Sequence, residues 1–113
     1  MLDRGDVLRV KARLGFLAQG DVGSVVVVQT AHLNAVLPTM LVVPLDTAIA
    51  IYAGKPTAIR VTAAEAGTKN DQVALVTQVR PLRLEHLAPG VVGRLSGPTL
   101  AQIDQVLRLV LGL

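Results

Sequence analysis

The sequence predicts a mainly β fold of the α+β kind: a small twisted, partly closed antiparallel sheet with one amphipathic helix packed on it at the end of the chain. Three observations carry this expectation. Val25 to Val28 is a run of four valines without polar alternation, the mark of a strand buried on both faces. Short apolar segments rich in β-branched residues recur along the chain, with Gly, Pro, Asn and Asp in the turns between them. Near the end the period changes, and Leu100, Ile103, Leu107, Val110 and Leu111 recur as one helical stripe.

The first strand is Val7 to Lys11, which follows an Arg4-Gly5-Asp6 turn and leaves one face solvated. Arg13 to Gly23 holds three glycines among polar residues and is expected to be a mobile loop, of a kind that often carries function. After the valine strand, Thr30-Ala31-His32-Leu33-Asn34 makes a polar connection to a second buried strand, Met40 to Leu45. Pro44 sits near the end of that strand, where a missing ladder donor is tolerated. Asp46 and Thr47 leave it, and two readings stand side by side: a turn, or fixed groups that reach solvent where chemistry can sit.

Tyr52 to Thr57 reads as a turn and Ala58 to Thr62 as a half-exposed strand. A further turn at Gly67 to Asp71 leads into a strand over Gln72 to Val79. Leu82, Leu84 and Leu87 after Pro81 fit one or two helical turns, and Val91 with Val92 a last short strand. Ser96 is the expected N-cap of the terminal helix, with Pro98 in its first turn and Gln102, Gln105 and Arg108 off its apolar stripe.

A chain of 113 residues is expected to form a single domain over residues 1–113. Apolar residues make up 51% of it, but Phe16 and Tyr52 are the only aromatics, so Val, Leu, Ile and Ala must build the core. The absence of cysteine excludes disulfides, thiolate catalysis and thiolate zinc sites. Two histidines, His32 and His86, give no convincing metal set, and no cofactor is expected. No apolar run reaches the roughly 18 residues that a membrane-spanning helix requires. Acids at Asp3 and Asp6 stand where a secretory signal carries basic residues, so a cytoplasmic protein without membrane association is expected. The net charge of +3 suits a polyanionic partner such as nucleic acid without requiring one. With so few aromatics, contact with RNA would rest on charge and hydrogen bonds with little stacking.

Four segments then follow one another in a distinctive order: Arg4-Gly5-Asp6-Val7; Ser24 to Gln29 with Asn34 beyond it; Val42-Val43-Pro44-Leu45-Asp46-Thr47; and Asp71-x-Val73, Thr77-Gln78-Val79-Arg80 and the closing Ala101 to Leu107. In this order and spacing they resemble the MazF/PemK toxins of type II toxin–antitoxin systems over nearly the whole chain. The resemblance implies an SH3-like, partly open β-barrel of about five to seven strands with a short helix and a C-terminal helix. It implies a homodimer that cuts single-stranded RNA without a metal ion, and an antitoxin partner whose disordered acidic segment lies in a groove at the dimer interface. In such chemistry the ribose 2′-hydroxyl attacks the adjacent phosphate, so the protein must supply a proton acceptor, a proton donor and a stabiliser for phosphorane charge.

On the same resemblance, the family's catalytic Arg falls at Gly23, the Pro after it at Ser24, and its two hydroxyl residues at Asp46 and Thr47. Three readings of that departure stay open. Arg13, Lys11 or another loop cation replaces the Arg, with Asp46 or His32 as proton acceptor. Alternatively the site is silent and binds an antitoxin or RNA without cleavage. In the third reading the loop aligns differently and Arg13 is the true equivalent. The candidate catalytic set is therefore Asp46, Thr47 and Arg13. The candidate substrate contacts are Ser24, Gln29, His32, Gln78 and Arg80, of which Gln78 and Arg80 share one strand face by period two. His32 is a candidate general base, but reads first as a solvated loop residue; His86 reads as surface.

Overall fold

Both faces of the valine run are buried, and this decides the architecture. The computed structural model describes residues 2–11, 23–52 and 54–113. Strand β2 (Ser24–Val27) lies between β1 (Asp6–Arg9) and β3 (Thr39–Asp46), antiparallel to both, with Val26 opposite Val7 on one side and Val43 on the other. Val26 and Val28 face one apolar cluster with Val7, Val43, Leu45 and Ala74. Val25 and Val27 face a second with Leu8, Val10, Met40 and Val42. A strand with apolar residues at every position suits this place between two cores.

The remaining strands are β4 (Ala58–Val61), β5 (Gln72–Leu75), β6 (Arg80–Arg83) and β7 (Gly93–Arg94). The seven-stranded antiparallel sheet runs β4-β5-β3-β2-β1-β7, with β6 also paired to β3. Both β5 and β6 share one edge of β3: Arg80 is opposite Val42, and Ala74 is opposite Leu45. Pro44 falls in the gap between them, so its missing N–H removes no ladder bond on that edge. The division of one long strand between two partners curls the sheet into a half-barrel.

Helix α4 (Gly97–Leu111) closes the first cluster with Ile103 and Val106. The Ser96 hydroxyl accepts the Thr99 N–H and Pro98 lies in the first turn, as the sequence leads one to expect. Three single-turn helices lie between strands: α1 (Ala31–Asn34), α2 (Ile49–Tyr52) and α3 (Ala63–Ala66). Helix α3 begins with a reciprocal capping box between Thr62 and Glu65 and ends at Gly67 with φ +66°. A Cβ on Gly67 would lie 1.8 Å from the Val92 carbonyl oxygen, so this turn and the segment leading into β7 touch backbone to backbone.

Several expected elements are placed differently. The strand expected over Gln72 to Val79 ends at Leu75, and a 3-10 turn (Val76–Gln78) lets the chain cross from one partner position on β3 to the next. The segment expected to be helical at Leu82 to Leu87 is instead β6 followed by a 3-10 turn (Leu84–His86), because Met40 pairs with Leu82 and draws it into the sheet. The last strand is at Gly93–Arg94 rather than at Val91 and Val92, and the connection after β2 contains α1. The loop expected at Arg13 to Gly23 lies, up to residue 22, outside the described residues. Among the described residues no helix is long and apolar enough to cross a membrane.

Candidate functional site

The sheet face that buries Val7, Val26, Leu45 and Ala74 continues two residues further along each strand to Arg9, Ser24, Thr47 and Gln72. At this point the apolar face gives way to polar side chains, which line a cavity of about 220 Å3 together with Gly23 and the turn from Gly67 to Asn70. Arg9 is in register with Ser24, and the Val10 N–H donates to the Gly23 carbonyl at 2.9 Å, so the ladder holds up to the rim.

The far wall is a braced turn. The Thr68 N–H donates to Ala63 O at 3.1 Å, and the Thr68 hydroxyl donates to Asn70 O at 3.0 Å. Asp71 accepts the Ala63 N–H at 2.7 Å and an Arg60 Nη2–H at 3.1 Å. These two bonds, the Ala63 amide first, hold its carboxyl below the usual aspartate range. Lys69 and Asn70 are therefore carried on a fixed backbone.

Among the described residues, the cavity lining contains two cations, Arg9 and Lys69, and no carboxylate. Among the described residues neither cation has an ion-pair partner. Gln72 is only 8% exposed, and its Oε1 is buried without a hydrogen-bond partner among the described residues. Asp46 is buried at the exit of β3, where its Oδ1 accepts the Ala48 N–H at 2.7 Å. The turn reading of Asp46 thus describes its geometry, while the neighbouring Thr47 is exposed and reaches the cavity. A pocket with excess positive charge and hydroxyls, backed by a buried unpaired amide oxygen, is chemically suited to an anion.

The sequence matches the family described as PemK-like, MazF-like toxin of type II toxin–antitoxin system over residues 3–111. The chain belongs to this MazF/PemK toxin family. A comparison with curated protein sequences gives no match. Among solved structures, it is similar to an endoribonuclease in complex with its cognate antitoxin from a Mycobacterial species, at 19% identity and a TM-score of 0.78, covering 100% of this chain and 97% of the other. MazF in the MazE–MazF complex of Deinococcus radiodurans matches at 20% identity and a TM-score of 0.78, covering 99% and 97%. The toxin MazF-mt6 of Mycobacterium tuberculosis matches at 16% identity and a TM-score of 0.74, covering 94% and 97%. These likenesses show that the curled antiparallel sheet with its C-terminal helix is the MazF-like fold.

Of the residues singled out in this MazF/PemK chain, Ser24 and Thr47 meet at the cavity, with Gly23 beside them. Gln29 and His32 lie beyond the other end of β2. Five residues of extended chain separate Ser24 from Gln29, a span of about 16 Å. Gln29 is buried in a side-chain network with Asn34, and His32 is exposed on α1. Gln78 belongs to the 3-10 turn and not to a strand, so it does not share a strand face with Arg80; its carbonyl accepts the Arg80 Nε–H at 3.3 Å. Arg13 lies outside the described residues, and Lys11 lines a separate apolar cleft with Leu2, Leu8 and Leu87. The sequence reading does not single out Arg9 or Gln72, and it takes Lys69 as part of a turn first and as a ligand second. For Arg9 a signal was present, since by period two it lies on the same strand face as Val7, one step nearer the end of the sheet.

Proposed function

We propose that this chain is a toxin subunit that cleaves single-stranded RNA without a metal ion, at the cavity between the end of β3 and the Gly67 to Asn70 turn. The cation-bearing lining at Ser24 and Thr47, in which the described residues include no carboxylate, carries this reading, because it places charge where a phosphorane needs stabilising. In the proposed reaction a ribose 2′-oxygen bonds to the adjacent phosphorus and passes its proton to a water molecule in the cavity. The bond from phosphorus to O5′ breaks, and O5′ takes a proton from water, which leaves a cyclic phosphate and a 5′-hydroxyl. Thr47 contacts the scissile phosphate. The toxin acts in the cytoplasm as a homodimer and is held by an antitoxin, as the antitoxin complexes among its structural relatives support. Apolar side chains left open at Val36, Leu109 and Leu111 are surfaces that such partners would cover.

A second reading has a specific observation in its favour. Glycine stands at position 23, and Asp46 has one oxygen committed to its own turn. Both features fit a silent binding module that engages an antitoxin or RNA without cutting. Incubating the purified protein with a long single-stranded RNA in excess chelator, with the ends mapped, separates the two. Discrete cuts with 5′-hydroxyl ends, reduced at least tenfold in Thr47→Ala, are expected for the toxin. Intact RNA from a folded dimer at high concentration overturns cleavage and leaves the binding module.

A further inference from the structure

We infer that Arg9 and Lys69 clamp one phosphate of the bound strand, and that Gln72 accepts a hydrogen bond from a ribose 2′-hydroxyl beside it, so that the cavity reads RNA by its sugar. The inference rests on the proposal that this cavity receives RNA, but not on cleavage, and it holds equally for a silent binding module. It differs from the sequence-derived expectation, in which Arg13 or Lys11 supplies the missing charge.

Two independent observations converge. The first is charge: Arg9 at the end of β1 and Lys69 on the braced turn both line the cavity, and the described residues of that lining include no acid. A guanidinium presents a planar fork to phosphate oxygens, while an ammonium acts as a point charge, so together they hold a phosphodiester without either reproducing the other. The second is the orphaned Gln72 Oε1. A buried acceptor left without a donor costs free energy, and such a group in a native fold calls for a ligand that completes it. A phosphate has no donor to offer at neutral pH, but the ribose 2′-hydroxyl does, and DNA lacks it. If the amide is turned over, its Nε2 donates to the phosphate instead, and the discrimination against DNA disappears. A hydroxyl on a nucleotide flanking the scissile bond would satisfy Gln72 while leaving the attacking hydroxyl free. At about 220 Å3 the cavity suits a sugar–phosphate unit, with the bases outside it.

The experiment is a fluorescence anisotropy titration of the whole protein, in chelator, with a short single-stranded RNA and with DNA of the same sequence, at several salt concentrations. Arg9→Gln and Lys69→Gln should each weaken RNA and DNA about five- to tenfold and flatten the slope of log affinity against log salt by about 0.7. Arg9→Lys should restore part of the loss. Gln72→Leu should weaken RNA about tenfold and leave DNA unchanged, with its folding checked by thermal melting. Arg108→Gln, an exposed cation on α4 away from the cavity, is the control and should change neither affinity. RNA binding by the parent protein with no change in the Arg9 and Lys69 variants overturns the clamp while the RNA-site proposal can still stand through other residues. Equal loss of RNA and DNA in Gln72→Leu overturns the sugar reading. Absence of any RNA binding by the folded parent protein overturns the RNA reading itself, and the clamp with it.

Discussion

Gln29, just beyond the end of β2, and Gln72, in β5, are the same residue type, both more than nine-tenths buried, yet their surroundings treat them in opposite ways. The Gln29 Nε2 donates to Asn34 Oδ1 at 2.9 Å and Thr39 O at 3.1 Å, and its Oε1 accepts the Leu41 N–H. Asn34 in turn donates to Leu2 O and Gln29 O. This end of β2 and β3 is closed, and its polar groups hold the chain together. At the other end Gln72 keeps an acceptor that nothing in the described protein answers. The contrast teaches that burial of a polar residue says little about its role until its bonds are traced. A satisfied amide is part of the scaffold, and an orphaned one beside a cationic cavity is part of a binding surface.

The largest effect is expected at the turn that carries Lys69. Gly67→Ala would place a methyl on the Val92 carbonyl at a residue with φ +66°. Left-handed backbone costs an alanine about 1 kcal/mol or more, and the displaced contact about 1–3 kcal/mol. A total near 3 kcal/mol should appear as a lower urea midpoint. A variant with the parent's midpoint would show that the turn is not anchored there, and the open end would lose its fixed wall.

The two glutamines give the next and most direct test. Gln29→Leu strands the Asn34 and Thr39 acceptors and should cost about 2–3 kcal/mol. Gln72→Leu removes no side-chain hydrogen bond among the described residues and leaves no orphan, so its stability should stay within about 0.5 kcal/mol of the parent or rise. Equal losses in chemical denaturation would erase the distinction on which the sugar-reading inference stands.

Much of the scaffold could be read from the sequence, and much of the site could not. The valine run announced a strand between two cores, because only such a place accepts apolar residues at four successive positions. Ser96, Pro98 and the apolar stripe announced α4, since local capping and period act within one segment. The single-turn helices were hidden because four residues cannot show a helical period. Even so, Thr62 and Glu65 three residues apart, with Gly67 after them, carried the signals of α3. The swap of a strand for a helix at Leu82 had a tertiary cause, the pairing with Met40. The cavity was least legible: Arg9, Ser24, Thr47, Lys69 and Gln72 come from four separated segments, and each is an ordinary residue until the register brings them together.

Glu65 offers a pH test of the scaffold that supports the open end. Partial burial raises its carboxyl pKa, but hydrogen bonds from Thr99, from the Ser96 amide and hydroxyl, and from Thr62 outweigh that and lower it to about 2 from 4.5. The folded form therefore holds its proton less tightly than the unfolded form. The resulting stability is fully present above about pH 4.5 and is lost as pH falls toward 2. After allowance for solvent screening, a contribution of about 1–2 kcal/mol is expected. The difference in unfolding free energy between the parent and Glu65→Gln should shrink steadily across that interval, and a difference independent of pH would refute the assignment.

The smallest expected effect separates the two jobs of Asp71. Its bond to Arg60 is an exposed ion pair between residues outside the cavity lining, whereas its bond to the Ala63 N–H fixes the start of α3. Exposed pairs contribute little after screening and side-chain entropy, so Arg60→Ala should cost less than about 1 kcal/mol and leave RNA affinity within twofold. Asp71→Ala also removes the acceptor of the Ala63 N–H and should cost more than Arg60→Ala. If Arg60→Ala instead weakens RNA as strongly as Lys69→Gln, the cationic surface extends past the turn, and the cavity is one stop along a longer track for the strand rather than the place where charge is concentrated.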